Sequence, residues 1–342
     1  MQIPFGRFLK SDHPIIKRCR RVTRSVYNLA PRRFRPDSAK APPKRNAIVG
    51  IIRFSVLSTT YNPFKISKNL PIESYFSYIL DEKRLHQRLV LLKSICLSSL
   101  DAQTDKDFKI LIVAPSLLPR SFKSKLRRIC RSRDYLKVTF VSEQNFKMSD
   151  LSSLICQKMI TSQDAFGTFR IDDDDAVSQD FIANLRRYVR PEHDDFCISL
   201  CKGYILDIAQ TAETVGLKAV IAPNASVGLA YISTRSNPRT IFDVSDRHVF
   251  MHKRRPVIQD ATKNAFVQTT HGGNDTGTRR AVRGRAFGAK RATKLLRKLG
   301  FHVRLDKLSR QLAIIEQRAS AAPETDLVVF PVDNRMLAQA AS

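Results

Sequence analysis

The chain is predicted to be an α/β protein with a mainly parallel central sheet, and three observations lead there. From residue 47 onward, β-branched apolar runs alternate with stretches whose apolar residues recur at helical spacing. Strands separated by helices build βαβ units, whose crossovers share one hand and place helices on both faces of the sheet. The 342 residues and a hydrophobic fraction of 43% allow one large buried core or two smaller ones.

The elements follow in order. Residues 1–46 mix Arg, Lys and Pro with little periodicity and are expected to form a flexible basic arm. A β-branched first strand is expected over 47–57 and a helix over 82–100, where Leu85, Leu89, Leu92, Ile95 and Cys96 keep helical spacing. Residues 108–114 predict a second buried strand, 118–131 a basic amphipathic helix, 136–141 a third strand and 151–160 another helix. The apolar run 166–171 predicts the strand that leads into Asp172, and 177–190 a following helix. Shorter strands are expected over 196–200, 203–208, 217–221 and 227–232, with Gly203-Tyr204 and Pro223-Asn224 as turn residues. These complete one domain spanning 47–277. Residues 278–342 form a basic helical C-terminal extension, in which Phe287, Leu295, Leu296, Leu299 and Leu312 punctuate a cationic stretch that Gly300 divides in two.

A formal net charge of +28 implies a polyanionic neighbour: nucleic acid, anionic lipid or a nucleotide phosphate. The basic residues concentrate in 10–45 and 279–310. Cys19, Cys96, Cys130, Cys156, Cys197 and Cys201 show no zinc-finger or CxxC spacing, and are expected to be reduced core residues. With no apolar leader and no run of roughly 18 apolar residues, a cytoplasmic location is expected, with peripheral contact at the inner membrane face. Serine-hydrolase, P-loop and dinucleotide motifs are absent from the sequence.

The four acids Asp172 to Asp175 are the main chemical signal. Carboxylates about 5 Å apart repel by roughly 3 kcal/mol per pair at an effective dielectric near 20. A divalent cation relieves that repulsion, and hard oxygen ligands favour Mg²⁺ or Mn²⁺ over Zn²⁺. Ligands of open α/β sheets collect at the carboxyl ends of strands, where this run falls; the competing reading is an exposed loop that caps the next helix. Arg53, a charge in an apolar strand, and Arg84, at the start of the next helix, are candidate phosphate ligands. Arg170 is expected to form a structural ion pair, and His248 and His252 lack zincin spacing. The glycine-rich segment His271-Gly-Gly-Asn-Asp-Thr276 can bring backbone close to phosphate.

Four segments in order, Arg53-Phe-Ser-Val56, Gln103-Thr-Asp-Lys-Asp-Phe108, Arg170-Ile-Asp-Asp-Asp-Asp-Ala176 and His271 to Thr276, resemble the bacterial putative rhamnosyltransferase family over 48–277. The broader resemblance is to GT-A-type glycosyltransferases. It implies a GT-A fold and transfer of a sugar, rhamnose by the family's name, from a nucleotide-diphosphate donor to a glycan or lipid-linked acceptor. Asp172 and Asp174 match the acids of the DxD motif. The resemblance implies Arg53, Arg84, Asp172 and Asp173 on the donor, and Asp174, Asp172 and His271 on Mn²⁺ or Mg²⁺. An inverting displacement needs a base on the acceptor, for which Asp275 is the candidate, with Asp243 and Asp246 as alternatives. One departure stands out: many relatives end the second strand in acids that help read the base, whereas this chain has Val113-Ala-Pro115. The charge and the acid run also motivate a nucleic-acid-binding or metal-dependent nuclease reading, against which no helix-turn-helix, RRM or zinc module is evident; no nucleic-acid partner is expected.

Overall fold

A computed structural model describes residues 46–58, 71–144, 146–160, 164–208, 214–236, 238–244, 248–272 and 285–321. The predicted arm before Asn46 and the candidates Asp246 and Asp275 lie outside the described residues.

Among the described residues twelve strands form two sheets. The first contains β1 (Ala47–Arg53), β2 (Lys109–Pro115), β3 (Leu136–Val141), β4 (Ala165–Asp172), β6 (Cys197–Leu200), β9 (Ala230–Thr234) and β10 (Val257–Asp260), ordered β10-β6-β9-β4-β1-β2-β3. All its pairings are parallel except those of β9 with β4 and β6, so the expected mainly parallel α/β sheet is present. The second contains β5 (Ala176–Val177), β7 (Lys202–Ile208), β8 (Thr214–Ile221), β11 (Phe266–Thr270) and β12 (Arg285–Gly288), ordered β12-β8-β7-β11-β5.

Alternation along β1 shows why the first sheet is covered on both faces. Ile48 and Ile52 join one apolar cluster and Val49 and Ile51 the other, as a side-chain period of two requires. Helix α1 (Ile72–Leu80), absent from the sequence prediction, buries Tyr75, Phe76, Ile79 and Leu80 in the first cluster. Helix α2 (Glu82–Leu91) runs on through a π turn, Leu92–Cys96, into a last α turn, Leu97–Asp101. Helix α3 (Arg120–Arg131) adds Phe122, Leu126 and Ile129 to the same cluster. Helices α4 (Leu151–Lys158), α5 (Phe181–Arg186) and α6 (Ile241–Val244) are short, and α7 (Ala289–Lys298) and α8 (Leu305–Ala321) follow β12. Ala292, Leu296, Phe301, Leu308 and Leu312 pack against Leu91, Ile95, Leu206 and Val215, which fixes the described part of the C-terminal segment to the second sheet.

Three expectations are corrected. The first strand stops at Arg53 rather than 57, because Ser55 takes a left-handed φ of 50°. The helix expected over 177–190 is only α5, because Ala176 and Val177 pair antiparallel with β11. Gly203 is not a turn residue but lies inside β7, where a Cβ would meet the Phe266 carbonyl oxygen at 2.4 Å. Asn224 does turn, at φ 57°, and Gly300 separates α7 from α8 at φ 89°.

Candidate active site

Strand register builds the site. In the parallel ladders Arg53 is level with Asp172 on one side and Val113 on the other, so β1 and β4 end together, two residues short of the end of β2, and deliver the acid run at the carboxyl edge of the sheet. The Asp175 N–H donates to the Asp172 carbonyl at 3.2 Å, folding the four acids into a tight turn before β5.

The turn sends the four carboxyls in different directions. The Arg53 guanidinium donates to Asp172 Oδ1 at 3.0 Å, and Arg170 lies 3.7 Å from Oδ2. Both guanidinium groups sit over the Phe242 ring, at 5.8 and 5.7 Å. Burial opposes ionisation of Asp172, but Arg53 and then Arg170 outweigh it and hold this carboxyl well below the usual range. Asp173 points into the protein, where Arg88 grips it with Nε at 2.9 Å and with a second guanidinium nitrogen. Its side chain is 0% exposed, and burial pushes it up to about 7 despite Arg88. Asp174 Oδ2 lies 3.0 Å from His271 Nε2 at the end of β11. Burial again opposes ionisation there, and the bond to His271 reverses the balance and lowers Asp174. Asp175 Oδ1 accepts the Thr269 N–H at 2.8 Å; burial, then the charges of Asp174 and Asp172, push it well up. The two acids held ionised are therefore Asp172 and Asp174.

The structure brings Arg53, Asp172, Asp173, Asp174 and His271 together. Arg84 is nearby but directs Nη1 to Ser55 Oγ at 3.3 Å and the Ile79 carbonyl at 3.1 Å, and stacks on Tyr78. Its neighbour one turn on, Arg88, makes the carboxylate contact, and sequence reasoning missed it. The available signal was the i, i+4 spacing, which puts both arginines on one face of α2. Asp243 is occupied at the start of α6, its Oδ2 accepting from Thr240 Oγ1 at 2.8 Å and from Ser152 Oγ.

The Gln103 to Phe108 segment works at a distance. Buried Gln103 donates to the carbonyls of Ser99 and Ser178 at 3.0 and 2.7 Å and accepts the Ile182 N–H at 3.0 Å. Asp105 takes Arg186, which also donates to the Asn46 carbonyl at 2.6 Å. These bonds tie the end of α2 and the start of β1 to the segment after the acid run. The second strand's missing acid has a neighbour in Glu143, buried past the end of β3, whose carboxylate accepts from Ser116 Oγ at 2.9 Å and the Leu117 N–H at 2.6 Å.

Among the described residues no three His, Cys, Asp or Glu side chains converge as a metal cage. Mg²⁺ and Mn²⁺ do not need one: such ions are commonly held by one or two carboxylates, with phosphate oxygens and water completing the shell. Asp174 with His271, and the part-exposed Asp172, fit that mode by donor chemistry.

A family model described as putative rhamnosyl transferase matches residues 47–283. No match among curated proteins reaches significance. Among solved structures, S. aureus TarS 1-349 in complex with UDP-GlcNAc is similar at 12% identity, over 86% of this chain and 79% of that one, with a TM-score of 0.36. The mannosyltransferase PcManGT from Pyrobaculum calidifontis, in complex with GDP-Man and Mn²⁺, is similar at 14% identity over 89% and 82%, with a TM-score of 0.36. GalNAc-T7 with UDP, GalNAc and Mn²⁺ is similar at 11% identity over 73% of this chain and 48% of that one, also with a TM-score of 0.36.

Proposed function

We propose, from the premise that the chain belongs to the putative rhamnosyl transferase family, that it moves a sugar, rhamnose first among candidates, from a nucleotide-diphosphate donor to a glycan or lipid-linked acceptor. Membership makes it a glycosyltransferase and weighs against the nucleic-acid and nuclease alternative. The observation supporting the finer reading is the pair of ionised carboxyls, Asp172 and Asp174, at the joint carboxyl edge of β1, β2 and β4.

In this reading Asp174, His271 and Asp172 hold Mn²⁺ or Mg²⁺, which when bound supplies Lewis-acid stabilisation of the departing diphosphate. Arg53 is part-exposed beside Asp172 and can reach a donor phosphate as well as its carboxylate partner. Arg84 steadies the loop after β1 through Ser55 and is close enough for its charge to act on Asp173. Asp173, locked to Arg88, fixes the turn that aims its two neighbours, and Asp275 takes the proton of the acceptor hydroxyl. No helix among the described residues is long and apolar enough to cross a membrane; a lipid-linked acceptor would be met by peripheral contact from the cytoplasmic side.

Hydrolysis and transfer assays with a panel of nucleotide-sugars, nucleotide-linked rhamnose included, test the reading. Activity is expected with Mn²⁺ or Mg²⁺ and to vanish with chelator. Asp174→Asn and His271→Ala are expected to lose several kcal/mol of transition-state stabilisation, on the order of 10³-fold in rate. Full turnover by Asp174→Asn, or indifference to chelator, would overturn the metal assignment.

A further inference from the structure

We propose that the exposed face of α3 is the surface by which the folded domain docks on an anionic phospholipid bilayer, which deepens the lipid-linked acceptor reading above. Between Ser116 and Arg133 the chain has no acidic residue and carries Arg120, Lys123, Lys125, Arg127, Arg128, Arg131 and Arg133. Phe122, Leu126 and Ile129 turn inward, and Arg120, Arg127, Arg128 and Arg131 are exposed on the opposite side. Among the described residues only Arg133 of this set has a carboxylate partner, Asp101. The other six cations have no ion pair among the described residues.

The cationic face extends beyond one helix. Lys93 of the π turn and Lys307 of α8 border it: Lys93 is lowered by burial and then by the charges of Lys125, Lys307, Arg128 and Arg133. Folding thus gathers like charges from three helices, a cost that an anionic partner relieves.

Two observations favour a bilayer over a nucleic acid. Single-strand binders stack bases on exposed aromatic rings, whereas the ring at this face, Phe140, is covered by Lys123 and Arg127 at 5.9 and 4.9 Å. Leu117, 40% exposed, stands immediately before α3 and supplies an apolar residue beside the arginines, the combination that seats interfacial helices. Leu117 lies two residues past the end of β2, in which Val113 is level with Arg53, itself level with Asp172. A bilayer on this face therefore lies beside the edge of the sheet that carries the acids.

The test is co-sedimentation of the full chain with phosphatidylcholine vesicles with and without phosphatidylglycerol, in the absence of donor and metal. The variants are Arg120→Gln/Arg127→Gln/Arg128→Gln/Arg131→Gln and a charge-matched control on exposed α7 positions, Lys290→Gln/Arg291→Gln/Lys294→Gln/Lys298→Gln. Binding is expected only with phosphatidylglycerol and to weaken with salt. At about fivefold per basic residue at the surface, the α3 variant is expected to lose on the order of several hundredfold, and the α7 control far less. Equal losses in the two variants, or wild-type binding by the α3 variant, overturn the proposal. So does loss of vesicle binding to a short RNA that binds the same face more tightly at physiological salt. Thermal melts check that each variant is folded. Because no donor turns over, failure here leaves the transferase reading standing, and an inactive enzyme that binds vesicles leaves this proposal standing.

Discussion

Replacing Arg88 by Met tests the internal electrostatics of the acid turn, because it removes a guanidinium of similar length from a carboxyl that is 0% exposed. The cost is expected to depend on pH in a specified direction. Burial holds Asp173 up to about 7 in the folded protein even with Arg88 present, against about 3.9 in an unfolded chain. Without Arg88 the folded value rises further. Below pH 7 both folded proteins keep the proton, so at Asp173 the variant loses the two hydrogen bonds from Arg88, about 1.5–3 kcal/mol. Above pH 7 the wild type releases a proton that the variant retains, and the deficit widens by about 1.4 kcal/mol per pH unit until the variant's own value is passed. At pH 9 the total comes to about 4–6 kcal/mol, close to the 3–5 typical of a broken buried pair. The chain has no tryptophan, so urea unfolding followed by far-ultraviolet circular dichroism from pH 6 to 9 is the suitable assay. The double variant Arg88→Met/Asp173→Asn has no carboxyl at position 173 to titrate, so its deficit against wild type should be flat above pH 7. A deficit in Arg88→Met that stays constant from pH 6 to 9, or shrinks as pH rises, would refute the account of Asp173 as a carboxyl poised by Arg88.

Two further outcomes probe the scaffold by the same unfolding measurement. Gly203→Ala places a Cβ 2.4 Å from the Phe266 carbonyl oxygen, which is ladder backbone and cannot rotate away, so a loss of about 2–3 kcal/mol is expected; an unchanged midpoint would mean that β7 and β11 are not so close. Gln103→Ala strips three hydrogen bonds and leaves the Ile182 N–H without its acceptor, an expected loss of about 3 kcal/mol. Gln103→Glu, which cannot donate to the Ser99 and Ser178 carbonyls, should recover little of it.

What the sequence made legible were elements that carry their own pattern. β1, β2 and β4 are buried on both sides and show as largely apolar runs, and α3 alternates arginine with Phe122, Leu126 and Ile129. β5 was illegible because two residues carry no period; only pairing with β11, ninety residues on, makes Ala176 and Val177 a strand. Gly203 was misread for the complementary reason, since a glycine needed for close approach looks in sequence like a glycine needed for a turn. In the site, Asp172, Asp174, Arg53 and His271 were found from strand-end placement and family pattern. Arg88 was not, because an arginine on a helix is common and its partner lies 85 residues away. The Gln103 to Phe108 segment was recognised as a signature without a role; its bonds to Ser178, Ile182 and Arg186 supply one.

In sequence the acid run reads as four like charges whose repulsion a dication would relieve. The geometry divides that work. Arg53 and Arg170 compensate Asp172, Arg88 compensates Asp173, and His271 meets Asp174. Asp173 and Asp175, turned inward against Arg88 and the Thr269 N–H, are both raised by burial, which favours their neutral forms. This lowers the repulsion felt by the two acids that stay charged. The turn can therefore fold on its own cations, and the residues that anchor it differ from the residues that present charge outward. Because Asp172 and Asp174 are held ionised by partners that can also meet phosphate, the proposed donor diphosphate and its cation would, on binding here, exchange contacts within an already balanced site.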